Sequence, residues 1–541
     1  MAEARGKRVM MGLLAPLLRA RAALFSPGRA VLPLYQPQRS GLAVVARRTA
    51  LLVGVLLLAV IYGLAIAVLP PSFMVAAAAP LAVAALMVIW ALPEAPSAPL
   101  RLLIRCYVAF MVLGILWPNY LSVAVGGLPW ISIRRLLGLV TSGVLLTCYS
   151  TSRDFRREIA DILRASPLLS RFMLGFLTIQ AISAFTSVSP GDTIGRLVNL
   201  SITVTPFFFM TMWIIGTGRR TAGWWLRLML TCMLLLMVLG LFEFRAEHIL
   251  WVNHIPSFLK INDESIQGIF VPQYRDHYRV VTVFSHPLVW GEIIALMIPF
   301  AIHLVANSRS VAALAVFGLL DLVMAVSAYL SGARLSMVGL VVAHAVYLLL
   351  WGLRRWRKDR GGLIGITTTM LYPAFLVALF GAIMFVPAIH NRVLGGGATQ
   401  ASNNGRTEQM KLGIPAIAKR PLFGYGPGQG GRAVGWRTLK GQLTIDSGFL
   451  STGADYGVLG FLAFFGTIVL SIVQLAKRGI DEDSPGVPLH LALAASLTVL
   501  ITTRLVLSKT ENDQVVFMLL GLAFALLYRS SRKSAGATTA A

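Results

Sequence analysis

GRTEQMKLGIPAIAKRPLFGYGPGQGG, residues 405–431, and TIDSGFLSTGADYGVLGFLAFF, residues 444–465, decide how this chain is read. The first stretch begins polar and basic, then ends on Pro421 and the glycines Gly424, Gly426, Gly428 and Gly430. The second runs from Asp446 into an apolar segment long enough to cross a bilayer. Arg406 is therefore expected to open a helix that the proline and glycines close. A basic, glycine-punctuated loop between two membrane spans suits an anionic ligand at the bilayer surface.

Composition agrees. Apolar residues make up 57% of the 541 residues, charged residues 13%, and mean hydropathy is +0.75. A soluble domain could not bury that much apolar surface, whereas a polytopic membrane protein need not. The net charge of +26 would point to nucleic acid in a soluble chain. Here the excess sits in short loops between apolar runs, and no aromatic-interleaved basic domain argues for RNA or DNA. Cys106, Cys148 and Cys232 lie inside apolar runs without motif spacing, so disulfide and metal chemistry are not expected.

Apolar windows fall near 50–69, 72–92, 103–124, 135–150, 168–187, 197–216, 223–243, 287–306, 311–329, 335–352, 363–387, 447–476, 486–508 and 513–529. The expectation is an all-α polytopic membrane protein of about 14 transmembrane helices. With the N-terminus inside, Arg47/Arg48, Arg153/Arg156/Arg157, Arg219/Arg220, Arg354 to Arg360 and Arg529/Arg532 all fall inside, as the positive-inside rule requires. The organisation follows: a basic N-terminal arm over 1–48, spans one to seven over 49–243 and a first outer loop over 244–286. Spans eight to eleven then occupy 287–387, a large outer loop 388–446, the last three spans 447–529, and an inner tail 530–541. The arm's apolar patch is too short to span and lacks a cleavage site, so it reads as an amphipathic surface segment rather than a signal peptide.

The large outer loop carries Arg392, Arg406, Lys411, Lys419, Arg420, Arg432, Arg437 and Lys440 against Glu408 and Asp446. Either this is a solvated or headgroup-facing surface, or it attracts a phosphate or acidic glycan. Arg334, in the tight turn Ser331-Gly332-Ala333-Arg334, either snorkels or forks onto phosphate oxygens. Arg275 and Arg279 precede Phe284-Ser285-His286-Pro287, where Pro287 suits a first helical turn and His286 is either a cap or a site residue. Glu292, Asp321 and Arg504 are ionisable residues inside apolar windows, positions that demand partners. Asp446 reads two ways: an N-cap for the next helix, or a general base at the membrane boundary.

Together these pieces resemble the O-antigen ligase/polymerase superfamily of bacterial membrane proteins. Its signature is matched by Gly405-Arg406, by Pro421-Leu422-Phe423-Gly424-Tyr425-Gly426-Pro427-Gly428, by Asp446-Ser447-Gly448-Phe449-Leu450 and by Gly457-Val458-Leu459-Gly460. Ser331-Gly332-Ala333-Arg334 and Phe284-Ser285-His286-Pro287 resemble its outer turn and re-entry segments, so the likeness runs from about 280 to 465. Three positions depart. Met410 replaces the usual tryptophan, Pro415 interrupts the loop helix with an expected kink, and Asp446 stands where the ligases carry histidine. The last favours a polymerase.

The resemblance implies a GT-C-like, metal-independent, inverting glycosyltransferase of the bacterial inner membrane, with both termini cytoplasmic, a periplasmic helical loop domain and a periplasmic site. Its donor would be a glycan on undecaprenyl pyrophosphate, its acceptor a glycan or lipid, and it would need no cofactor. Arg279, Arg334 and Arg406 would hold the pyrophosphate and Asp446 would activate the acceptor. His286, Tyr425, Arg420 and Glu292 would be secondary. A chain-length regulator or flippase is a possible partner, alongside membrane lipids and no nucleic acid. Competing readings are a ligase acting on lipid A core or protein, a flippase or transporter, and a purely structural membrane protein.

Overall fold

The computed structural model describes residues 98–541 apart from 124–130, 262–269, 276, 388–389, 391–397, 439–440, 442, 485 and 541, with 84–90 and isolated positions before them. The basic arm 1–48 and most of windows 50–69 and 72–92 lie outside the described residues. The chain divides into two compact units, Met1–Ala79 and Pro80–Ala541, and every element named below belongs to the second.

That unit is built from α1 Leu100–Leu116, α2 Ile133–Thr151, α3 Arg153–Ala165, α4 Pro167–Phe185, α5 Pro190–Thr203, α6 Thr205–Gly216 and α7 Ala222–Ala246. It continues with α8 Pro287–Ala306, α9 Val311–Leu330, α10 Arg334–Lys358 and α11 Leu363–Phe385. The last elements are α12 Ala398–Lys419, the short α13 Gly430–Val434, α14 Gly448–Asp481, α15 Leu489–Arg504 and α16 Asp513–Ala540. Among the described residues nine helical segments are long and apolar enough to cross a membrane, and α15 is a shorter apolar helix. The chain is a mostly helical, polytopic membrane protein.

Several windows differ in detail. Window 103–124 is helical only to Leu116; beyond Pro118, Leu121–Val123 forms β1 of a small antiparallel sheet with β2 Ile131–Ser132 and β3 Leu259–Ile261. The strictly all-α expectation is corrected by this sheet. Window 197–216 starts at Pro190 and breaks at Val204, because Pro206 in the first turn of α6 cannot donate to a preceding turn. Pro167, Pro190 and Pro287 all open helices, where a missing N–H leaves nothing unpaired.

Burial separates central helices from peripheral ones. Within the spanning windows, 83% of α8 and 78% of α16 are buried, against 17% of α9, so α8 and α16 run through the core while α9 turns outward. The core gathers Trp213 of α6, Trp225 of α7, Trp290 and Phe300 of α8 and Phe524 of α16. Ionisable residues inside it are paired. Glu292 on α8 is fully buried and meets Arg504 at 3.2 Å, with Thr503 and Asn512 completing its hydrogen bonds. Outside the core, the half-buried Asp321 meets His344 at 3.1 Å. Removing one partner of a buried pair strands the other charge.

Loops segregate to the two ends of the bundle. At one end, Arg420 reaches Thr186, Arg432 reaches Asp192, Arg275 reaches Gly332, Ser285 reaches Glu511 and Ser508 reaches Ile445. At the other, Glu94 pairs with Arg153 and Arg156, Glu158 with Arg219, and Arg354 donates to the carbonyls of Gly479, Glu482, Ser484 and Gly486. Loops assigned to opposite sides from charge thus meet at opposite ends.

Candidate functional site

The two motif halves fold onto each other. α14 is broken at Gly457, whose φ of 68° and ψ of −174° leave the carbonyls of Ala454 and Asp455 without helical donors. Tyr425 N donates to Ala454 O at 2.9 Å, Gly426 N to Asp455 O at 2.9 Å, and Val458 N to Pro421 O at 2.7 Å. The approach is so close that a Cβ on Gly457 would sit 2.5 Å from the Leu422 carbonyl, and one on Gly424 (φ +67°) 2.5 Å from Ala454 O. Both glycines are therefore required by backbone contact rather than by phosphate. Asp455, buried in the break, accepts from Gly430 N at 2.7 Å and anchors the start of α13. No spacing in the sequence announced that role.

α12 lies over this hinge and corrects two expectations. It begins at Ala398, so Arg406 sits about two turns inside it rather than at its start, and it continues through Pro415 as one helix. Gln409, one turn beyond Arg406, is 1% exposed, and its Oε1 accepts from Asp446 N at 2.7 Å. That contact sets the amide's direction. Arg406 Nε and Gln409 Nε2 are both buried with no hydrogen-bond partner among the described residues. Two orphaned donors on neighbouring turns of one helix are costly unless a ligand supplies acceptors.

The other cations close around them. Arg406 and Arg275 lie within electrostatic reach of Arg334, the first residue of α10. Arg275 donates to Gly332 O and Arg279 Nε to Ser331 O, and Arg279 packs so tightly on Gly332 (φ +59°) that a Cβ there would meet its Cγ at 2.8 Å. Burial, then Arg275, pushes Arg279 down to about 10, which leaves it charged at neutral pH. The structure thus brings Arg279, Arg334 and Arg406 together and adds Arg275.

Asp446 separates from its simpler reading. Ser447, not Asp446, caps α14, its side chain accepting from Leu450 N. Asp446 is half-buried, and its carboxylate makes no hydrogen bond or ion pair among the described residues. Its backbone is tied to Gln409, which places it next to the orphaned donors.

The secondary residues divide differently. Glu292 belongs to the Arg504 pair inside the bundle. Tyr425 gives its hydroxyl to Ala416 O at 3.0 Å, and Arg420 stacks over its ring at 5.2 Å while donating to Thr186 O. Both hold the loop. His286 caps α8, its Nδ1 accepting from Leu288 N at 3.1 Å. Burial, then Arg279 and Lys509, pushes His286 from 6.5 down to about 3, so it is neutral at working pH and supplies no charge to an anion. Because the folded value is depressed, protons favour the unfolded chain below 6.5, and stability drains away as pH falls toward about 3. His286→Asn, which retains capping capacity, is expected to flatten the acid side of the unfolding-temperature profile across that window.

Two carboxylates hold the segment that carries Arg279 and His286: Glu243, which sequence reading missed, and Glu511, which it read only as snorkelling or pairing at the surface. Glu243 on α7 is 1% exposed and accepts from Val281 N at 2.9 Å, Thr282 N at 2.7 Å and the Tyr278 hydroxyl at 3.0 Å. It clamps Thr282 at a φ of +56°, which an unrestrained threonine avoids. Glu511 accepts from Ser285 N and Oγ at the far end. Burial holds Glu511 above the usual carboxylate range, against the pull of Ser285 and Arg134. Each is an acidic residue at the edge of an apolar run, and nothing in the sequence tied Glu243 to amides 38 and 39 positions on, or Glu511 to Ser285 226 positions back. Glu243→Ala leaves two buried N–H groups unpaired and is expected to destabilise the fold by about 2–6 kcal/mol, at roughly 1–3 kcal/mol each, in denaturant unfolding of the detergent-solubilised chain.

An apolar groove of about 250 Å³ adjoins the cluster, lined by Met410, Ile414 and Ile417 of α12 against Phe449, Val458 and Phe461 of α14. Arg406, Met410, Ile414 and Ile417 recur at helical spacing, so one face of α12 leads from the cations into the groove.

Residues 319–465 match the O-antigen ligase family model. That match supports an O-antigen ligase/polymerase-like family for this segment of the chain. No curated protein matches the chain. The matched segment holds Arg334, Arg406, Asp446 and the folded hinge; Arg279, His286, Glu243 and Glu511 lie outside it. An O-antigen ligase/polymerase-type role in polysaccharide biosynthesis, acting on lipid-linked glycans, follows in general terms.

Proposed function

We propose that the chain polymerises surface or exported polysaccharide at the periplasmic face of the inner membrane, moving glycan from undecaprenyl pyrophosphate to an acceptor hydroxyl. The observation that carries this reading is a pair of donors without partners among the described residues, Arg406 Nε and Gln409 Nε2, set among Arg275, Arg279 and Arg334 and beside Asp446, whose carboxylate is likewise unpaired among those residues. An anion with several oxygens satisfies those donors, and the adjoining groove suits the hydrocarbon chain such a donor trails.

In this mechanism Asp446 accepts the acceptor's hydroxyl proton as its oxygen bonds to the anomeric carbon. The bond from that carbon to the carrier diphosphate breaks on the opposite face, which inverts the configuration. The leaving diphosphate takes the bonding pair, and the fixed guanidinium groups stabilise the charge that develops on it. Asp446 then releases its proton to water. Preorganised cations in a partly dry site do this without reorganising.

The test uses the full chain in vesicles with a lipid-diphosphate-linked repeat unit on the site side, in the presence of a metal chelator. A ladder of products still on the carrier supports the polymerase; no product at all ends the reading. Transfer onto added lipid A core in place of a ladder makes the chain a ligase, the function named by the matching family.

A further inference from the structure

The first turns of α14 separate two surfaces. Phe449, Leu450 and Gly453 face the apolar groove, whereas Gly448, Ser451, Thr452 and Asp455, spaced i, i+3, i+4 and i+7, face a second cavity of about 250 Å³. Asp446 stands between them in the chain: its neighbour Ile445 lines the second cavity and its neighbour Ser447 the groove. The second cavity is mixed in character: hydroxyls from Thr444, Ser451 and Thr452, and aromatic rings from Tyr456 and Phe464.

Its charged side chains divide into those with a direct partner and those without one among the described residues. Arg504 and Asp513 meet at 2.8 Å, Arg504 also engages Glu292, and Asp455 is held by Gly430 N. Arg196 and Lys509 also line the cavity, and their side chains make no hydrogen bond or ion pair among the described residues, although Arg196 lies within electrostatic reach of Asp455 and Lys509 within reach of Glu511. Arg196 lies flat on Gly428, where a Cβ would stand 2.5 Å from its Cδ, so the glycine (φ +75°) lets the guanidinium reach the cavity wall. Lys509 is also within electrostatic reach of His286, which places it between the cavity and the arginine cluster.

Hydroxyls, ring faces and two cationic side chains with no direct hydrogen-bond or ion-pair partner among the described residues suit a sugar that carries a carboxylate. Ring C–H groups pack on aromatics, hydroxyls exchange hydrogen bonds, and a carboxylate answers the cations. We infer that this cavity seats the acceptor end of the glycan beside Asp446 and favours an acidic sugar of the uronic acid class there. The inference rests on the glycosyl-transfer reading of the neighbouring site.

The test is a binding titration by saturation-transfer NMR, with the full chain in lipid nanodiscs. Two soluble trisaccharides serve as probes, identical except that one ends in glucuronate and the other in glucose. The glucuronate probe is expected to bind about tenfold more tightly, the worth of one charge-assisted hydrogen bond. Added salt shrinks that advantage. Arg196→Gln and Lys509→Gln, made separately at exposed positions, each reduce the preference while the glucose probe binds as before. Equal affinity for the two probes, no binding of either, or a preference that survives both substitutions overturns the assignment. Because the titration needs no turnover, its failure is distinct from an absence of glycan product in the vesicle assay.

Discussion

Arg406→Ala is expected to lower glycan transfer by about 10²- to 10³-fold, the loss that follows removal of one preorganised donor to a developing anion. The side chain is half-buried on α12, its Nε has no partner among the described residues, and its charge reaches Arg334 across the turn that Arg279 braces. Nothing in the resting fold depends on that Nε, so the unfolding temperature of the variant should match the parent. The loss should appear mainly in kcat, because the diphosphate gains charge as its bond to the sugar breaks. Arg406→Lys keeps the charge without the planar fork and should recover only part of the rate. Initial rates in the vesicle assay decide the matter. A variant within about threefold of the parent would remove this cluster from the chemistry.

Much of this architecture was legible in the sequence because bilayer physics writes it plainly. Every apolar window from 103–124 onward contains a helix, and the arginines that sorted inside and outside by charge now lie at opposite ends of the bundle. The glycine motif was visible as a motif but not as a mechanism. Gly424 and Gly457 matter because two backbones touch there, and a contact between residues thirty or more positions apart leaves no periodic trace. For the same reason Glu243 looked like an ordinary helix-end acid until its carboxylate was seen gathering the amides of Val281 and Thr282. Where Arg406 sits in its helix was misjudged, because the polar run from Ala398 carries no apolar stripe to mark a helical start. Glu292 and Arg504 were legible as residues needing partners, but only packing of α8 against α15 and Asn512 shows that they need each other.

Asp446→Asn is the sharper test, because the fold has separated two roles that the sequence left joined. Ser447 holds the α14 cap, so Ser447→Ala should lower stability by about 1 kcal/mol. Asp446→Asn should leave stability intact, since the backbone N–H of residue 446 still reaches Gln409 and the carboxylate bonds nothing among the described residues. Asparagine preserves size and polarity but cannot take a proton. Turnover should therefore fall by about 10²- to 10⁴-fold, the range expected for loss of a positioned general base. Donor binding, read with a non-transferable diphosphate lipid, should persist because Arg279, Arg334 and Arg406 are untouched. Asp446→Glu moves the base along one methylene and should restore some of the rate, which no cap or packing role would predict. If Asp446→Asn transfers glycan at the parental rate, the proton must leave by another route, and the placement of this carboxylate beside the cations would have no part in the reaction.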